Sequence, residues 1–257
     1  MYIAETYSTN SLLREQYMDS EQLFHIRTDY QSAGRGQQGN SWESERGQNL
    51  LCSVLLRDTG IAVQQQFGIS MLTSVALYHT VAECLDETVL GLSARLSIKW
   101  PNDLYYADSK LAGILVENSL TGTEVSRSIL GIGLNVNQTQ FLSDAPNPTS
   151  LALITGHRYP VDRLMERLLH FLEEGLAHPE HWREQYMAHL YRRQGFYPYV
   201  EREVDTTPTM NQSGLTPDVF MAEIADITPT GCLCLCLQDG EQRTYHFKQV
   251  RYVMPPQ

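Results

Sequence analysis

Strand-like apolar runs separated by polar corners fill the first half of the chain, and a helical stripe takes over from residue 162. Residues 2–7 predict a short strand, after which Ser8, Thr9 and Asn10 offer N-caps to a helix starting at Ser11. Apolar runs at 23–26 and 49–56 bracket a polar, glycine-rich stretch at 30–42. The longest helical candidate covers 64–85, where Phe67, Met71, Val75, Ala82 and Leu85 recur at helical spacing and read as core. A strand over 96–100 stops at Pro101-Asn102-Asp103. Residues 104–106 and 110–117 then predict a hairpin turning at 107–109. Residues 128–135 predict another strand, in which Gly131 and Gly133 mark close backbone approach.

From Asp162 the period becomes helical, with Leu164, Leu168 and Leu172 as one stripe, and a second helix is expected over 180–191. Gly195-Phe196-Tyr197-Pro198 breaks the pattern, and 203–218, rich in Thr, Pro, Asn and Ser, reads as a loop or linker. Three short strand candidates in 219–253, separated by Pro229-Thr230-Gly231 and Asp239-Gly240, have the profile of a small all-β domain. The expectation is an α+β chain divided into residues 1–198 and 199–257.

Composition narrows the function. A hydrophobic content of 42% supports a sizeable core, while 19 Lys+Arg against 30 Asp+Glu gives a net charge of −11. That balance argues against a nucleic-acid surface, and it requires any anion site to be built locally from a few placed cations. No apolar stretch approaches a membrane span, and the first six residues lack the features of a signal peptide. Cys232, Cys234 and Cys236 alternate with leucines, which on a strand puts them on one face, and they read as small buried thiols. Free thiols without an export signal point to the cytoplasm. His178-Pro179-Glu180-His181 is the closest histidine pair, but its proline disfavours a ligand-bearing helix, so no structural metal is expected.

Candidate chemistry gathers at the polar corners. Gly34, Gly36 and Gly39 allow backbone N–H groups to approach a ligand, with Arg35 among them as a cation. The spacing reads G-x-G-x-x-G, and Asp58 stands roughly 20 residues further on, as a dinucleotide fingerprint asks. Context excludes that reading: a short polar stretch and a strand follow Gly39, where a Rossmann loop would open a helix. Neither the kinase H-R-D and D-F-G signatures nor a Walker A sequence occurs. If the loop converges with residues 99–103, 110–113 and 131–135, one site holds Arg35, Lys99 and Lys110 with Asp103, Asn102 and Asn135. Such a set suits a nucleoside triphosphate with Mg²⁺. Taken singly, each lysine reads equally as a solvated strand-end charge, Ser8 and Thr9 as caps, and Trp42 and Trp100 more readily as core.

Together these stretches resemble the biotin–protein ligases, also called biotin–[acetyl-CoA-carboxylase] ligases. The similarity runs from Glu5-Thr6-Tyr7-Ser8-Thr9-Asn10 through Gln31-Ser32-Ala33-Gly34-Arg35-Gly36 to Trp42 and Gly47-Gln48-Asn49-Leu50. It continues in Lys99-Trp100-Pro101-Asn102-Asp103, Lys110-Leu111-Ala112-Gly113-Ile114-Leu115-Val116-Glu117 and Gly131-Ile132-Gly133-Leu134-Asn135-Val136-Asn137. The resemblance implies a mixed sheet with helices like that of class II aminoacyl-tRNA synthetases, and a C-terminal SH3-like β domain. It also implies two steps: adenylation of biotin by MgATP, then transfer of biotin to a lysine of a biotin carboxyl carrier protein. By position, Ser8, Thr9, Asn10, Gln31, Gly36, Gln37 and Gly113 would meet biotin. Arg35 and Lys110 would bind its carboxylate and the α-phosphate. Trp42, Lys99, Asn102, Asp103 and Asn135 would serve ATP, with Asp103 on Mg²⁺. Arg35, Lys99 and Lys110 would be the catalytic cations.

Two departures from the family pattern stand out. Gln37 occupies a position where the family commonly has arginine, so a less firmly retained adenylate is expected. The motifs begin at residue 5, which leaves no room for the DNA-binding helix-turn-helix of many members, so no nucleic-acid partner is expected. The sequence accommodates a monomer or a homodimer. The rival readings are a lipoate or octanoate ligase or transferase of related fold, and a non-catalytic biotin-binding regulator.

Overall fold

The computed structural model describes residues 1–142, 147–202 and 219–254. Seven strands form a mixed sheet: β1 (Tyr2–Thr6), β2 (His25–Gln31), β3 (Leu50–Arg57), β4 (Leu96–Lys99), β5 (Asp103–Tyr106), β6 (Ser109–Thr121) and β7 (Glu124–Leu134). Their spatial order is β1-β2-β3-β7-β6-β5-β4, with β1 and β2 parallel and the other neighbours antiparallel. The helices are α1 (Thr9–Gln16), α2 (Phe67–Thr88), α3 (Leu151–Thr155), α4 (Val161–Ala177) and α5 (Trp182–Ala188).

β3 shows why the sheet is covered on both sides. It is buried along its length except at Arg57, because alternate side chains serve two cores. Leu50, Cys52, Val54 and Leu56 join the core built with α2, α4 and α5. Leu55 points the other way, into a smaller cluster with Leu12 and Leu13 of α1, Ile26 and Ile129. Ser8 caps α1 by accepting the Ser11 N–H, so the chain turns from β1 directly into that helix.

The remaining strands, β8 (Tyr197–Glu201), β9 (Val219–Ile227), β10 (Leu233–Leu237), β11 (Gln242–Tyr245) and β12 (Val250–Tyr252), form an antiparallel sheet of order β11-β10-β9-β8-β12. It packs on the first sheet. Ile224, Leu233 and Tyr252 belong to the same hydrophobic cluster as Trp100, whose Nε1 donates to the Gly231 carbonyl at 2.9 Å.

The α+β class and the C-terminal β unit agree with the sequence reading, and four details differ. The residues read as a break at 195–198 lead into β8. Pro198 lacks an N–H but still accepts from Val253 N at 3.0 Å, so it holds a place between β9 and β12. The tail carries four strands rather than three. The helix expected over 180–191 is a 3₁₀ turn at Pro179–His181 followed by the shorter α5. The reading of Cys232, Cys234 and Cys236 as buried is overturned for two of them. Leu233 and Leu235 fill the core face, which turns Cys234 and Cys236 outward to a half-buried position, and only Cys232 is buried. The loop expected over 203–218 lies outside the described residues.

Candidate active site

The glycine-rich loop leaves β2 at Gln31 and returns to β3 at Leu50, so it hangs over the ends of the central strands. Beneath it is a cavity of about 160 Å³, walled by the loop, the start of α1, the 99–103 turn and the glycines of β6 and β7. Ser8, Thr9, Asn10, Gln31, Arg35, Gly36, Gln37, Trp42, Lys99, Asn102, Asp103, Lys110 and Gly113 all line it. Asn135 lines the adjoining wider cleft of about 830 Å³, which shares Trp42, Lys99, Asp103 and Lys110 with the cavity and reaches residues 247–252 of the second sheet. Corners as far apart in sequence as Ser8 and Gly133 do converge.

One end of the cavity is a buried polar relay. The Thr9 backbone N–H donates to Gln31 Oε1 at 2.8 Å, and Thr9 Oγ1 is 3.1 Å from the same oxygen. Ser53 Oγ lies 2.7 Å from Thr9 Oγ1 and 2.5 Å from Asn10 Oδ1. Asn10 Nδ2 donates to Glu117 Oε2 at 2.7 Å. Thr9 and Asn10 are therefore more than helix caps, because their side chains are fixed against β2, β3 and β6. Ser53 and Glu117 join the site residues that the sequence suggests. A lone serine within Leu50–Leu56 and an acid ending the Leu111–Glu117 run were the available signals.

The cavity's floor is backbone. A Cβ on Gly113 would stand 2.9 Å from the Trp42 ring, and one on Gly133 would stand 2.5 Å from it. The Trp42 indole thus rests on both strands at their glycines, held in a loop and not in the core, contrary to the simplest reading of that residue. Gly113 faces the indole directly. Trp42 Nε1 and Gln37 Oε1 are buried without a partner among the described residues. Trp100, by contrast, is a core residue, 3% exposed.

The cations are held differently from one another. Lys110 Nζ pairs with Asp103 Oδ1 at 2.7 Å, and lies 5.7 Å from the Trp42 ring centre. Arg35 Nη2 pairs with Glu117 Oε2 at 3.0 Å; Glu117 also holds Arg14. Lys99 is half-buried, and burial pushes its ammonium below the ordinary lysine range, with nearby Asp103 opposing that shift. Asn102 is fixed by donation to the Ile114 carbonyl, which makes it a strut between the turn and β6. Asn135 donates to the Thr149 carbonyl at 3.0 Å, yet its Oδ1 is buried with no partner among the described residues. An orphaned amide oxygen and the Asp103 carboxylate bordering one cleft are hard oxygen donors of the kind Mg²⁺ takes. The described residues therefore fit that ion.

Away from this site, His178, Glu180 and His181 bring ligand-type atoms within 4.8 Å of one another, all on exposed side chains of a surface turn. No described helix is long and apolar enough to cross a membrane.

Comparison with known proteins agrees with the geometry. The chain is 30% identical over 197 residues to the bifunctional ligase/repressor BirA of Salmonella typhimurium, covering 76% of this chain and 55% of that protein. It is 33% identical over 148 residues to the biotin–[acetyl-CoA-carboxylase] ligase of Paracoccus denitrificans, covering 54% of this chain and 56% of that one. The chain spans little more than half the length of the curated relatives it matches. Its fold is that of the Aquifex aeolicus biotin protein ligase solved with biotin and ATP (TM-score 0.73, 19% identity, 98% of each chain). The profile of the biotin/lipoate A/B protein ligase family matches residues 2–135, which include every polar corner of the cavity, and the chain belongs to that family.

Proposed function

We propose that the protein is an ATP-dependent biotin–protein ligase: the carboxylate of biotin attacks the α-phosphate of ATP, the bond to the β-phosphate breaks and pyrophosphate leaves, and biotin then passes from the adenylate to a lysine of a biotin carboxyl carrier protein. The observation that carries this reading is the placement of Arg35, Lys99 and Lys110 around one cavity floored by the glycines of β6 and β7, in a protein of net charge −11. Adenylation brings a carboxylate against a phosphate, so cations fixed in advance must offset their repulsion and the charge of the transition state.

In this reading the Thr9–Gln31–Ser53 relay, with Ser8 and Asn10 beside it, holds the polar ring atoms of biotin. Gly36, Gln37 and Gly113 border its chain. Lys110 exchanges Asp103 for the reacting carboxylate and α-phosphate, and Arg35 exchanges Glu117. Lys99, Asn102 and Trp42 face the nucleotide. Mg²⁺, held by Asp103 and Asn135, would offset charge on the triphosphate. In the second step the neutral acceptor amine bonds to the acyl carbon, the acyl–phosphate C–O bond breaks, AMP leaves, and the amine's proton passes to solvent. Gln37 cannot ion-pair with the adenylate, so its retention depends on Arg35 and Lys110 more than it would with arginine there. Residues 1–198 would form the catalytic domain and 199–257 the SH3-like one. The net charge supports a protein without a nucleic-acid partner, and the free thiols support a cytoplasmic setting.

The experiment is biotin-dependent ATP–pyrophosphate exchange, with lipoate and octanoate in parallel. Exchange with biotin alone is expected. Exchange only with lipoate or octanoate would move the assignment to a lipoate-type ligase, and silence with all three would leave a binding protein.

A further inference from the structure

The chain contains three lysines, Lys99, Lys110 and Lys248, and all three border the wider cleft. Lys110 is clamped by a carboxylate. The Lys99 ammonium has no ion pair or hydrogen bond among the described residues, and its close partners are two aromatic faces. Its Nζ lies 5.0 Å from the ring centre of Tyr105 and 4.8 Å from that of Tyr252. The two rings come from different sheets, Tyr105 from β5 and Tyr252 from β12.

The cage is buttressed. Tyr191 lies 5.7 Å from Tyr105 and 5.8 Å from Tyr252, ring centre to ring centre, and its hydroxyl donates to Asp108. Tyr199 packs on Tyr252 at 5.1 Å. The Tyr252 hydroxyl is buried without a partner among the described residues, so what this side chain brings to the site is its ring. A carboxylate holds an ammonium but also neutralises it, and an incoming anion must compete for the cation. An aromatic face attracts the cation through its quadrupole and leaves its full charge for an anion.

We propose that Tyr252 is a positioning residue: with Tyr105 it holds the Lys99 ammonium toward the cleft, so that binding of nucleotide phosphate depends on the docked C-terminal sheet. The dependence on nucleotide rests on the proposed function; the cage itself does not.

Two measurements test it on the full-length protein. With only three lysines, ¹³C,¹⁵N-lysine labelling gives three resolvable Cε–Hε signals, assigned with Lys110→Arg and Lys248→Arg. The Lys99 Hε signal is expected upfield of the others, shifted by the two rings. Tyr252→Leu should move it toward the free-lysine position, and Tyr252→Phe should leave it in place. In pyrophosphate exchange, Tyr252→Leu should raise the KM for ATP by roughly 3- to 30-fold, with the KM for biotin within about twofold, and Phe should restore it. Should Leu impair folding, Tyr252→Met replaces the ring with a longer, unbranched side chain that adapts to the gap.

An unshifted Lys99 signal in the wild type, a Phe variant that behaves as Leu does, or equal rises in both KM values would overturn the proposal and leave Tyr252 a packing residue. If the signals move as stated while the wild type shows no exchange, the ligase reading fails and the cage stands.

Discussion

The Trp42 indole rests on the backbone of Gly133: a Cβ there would lie 2.5 Å from Trp42 Cε2 and 2.7 Å from Nε1. A ligand laid on the same glycines must share that surface with the indole or displace it. Gly131, two residues earlier on β7, is equally crowded, since a Cβ would meet Asn10 Oδ1 at 2.2 Å. The consequences of filling the two positions should differ. The indole belongs to a loop and its Nε1 has no partner among the described residues, so displacing it breaks no side-chain hydrogen bond. Asn10 is buried and tied to Ser53 and Glu117. Gly133→Ala is expected to leave the denaturation midpoint nearly unchanged while raising the KM for biotin at least about tenfold. Gly131→Ala should cost about 1–3 kcal/mol of stability, as overpacking of a fixed site does. Urea unfolding of the two variants separates them, and equal midpoints would refute the distinction.

Lys110→Ala should slow adenylation by roughly a hundredfold or more, the loss expected when a positioned charge contact to a transition state is removed, about 3–4 kcal/mol. The variant also leaves Asp103, a partly buried carboxylate, without its cation. Lys110→Ala/Asp103→Asn should therefore recover thermal stability but not exchange activity. Recovery of both would mean that Lys110 serves only to neutralise Asp103.

How much of this was legible in the sequence depends on how local each signal is. β5, β6 and the glycines of β7 were readable because alternation, a turn and a polar corner each act within a few residues. The convergence of residues 31–42, 99–103, 110–113 and 131–135 needed the resemblance, since no local pattern says that β7 lies between β3 and β6. Ser53 was missed because one serine in an apolar strand is indistinguishable from a tolerated polar substitution until Thr9 and Asn10 are seen to face it. Tyr252 was invisible for the same reason at longer range: its partner, Lys99, lies on a strand of the other sheet. The thiols of residues 232–236 show the limit of alternation itself, which groups Cys232, Cys234 and Cys236 on one face without saying which face is the core.

Ser53→Ala tests the relay. Ser53 is fully buried, and its hydroxyl joins Thr9 to Asn10. Removing it leaves an Asn10 Oδ1 lone pair unsatisfied, at a cost of about 1–3 kcal/mol. Because Thr9 and Gln31 are proposed to grip biotin, the KM for biotin should rise several-fold while that for ATP stays within about twofold. Ser53→Thr, which restores the hydroxyl, should recover part of both losses. A variant with wild-type stability and KM would remove Ser53 from the site.

The burial of Lys99 predicts opposite pH effects on activity and stability. The charged ammonium is the form that can meet phosphate, so kcat/KM for ATP, which reports the free enzyme, should fall as pH rises through the Lys99 pKa. That pKa lies below the ordinary lysine value of 10.5, so the alkaline limb should begin earlier than for an exposed lysine. Stability runs the other way. In the window between the lowered folded value and the unfolded one, the unfolded chain binds more protons at this residue, so the Lys99 contribution to unfolding free energy increases with pH. Lys99→Arg keeps the charge and does not titrate in this range, and it should move the alkaline limb upward even where its overall rate is lower. If the limb of kcat/KM stays where it was in Lys99→Arg, the titrating group is another residue and Lys99 is not the cation that nucleotide binding senses.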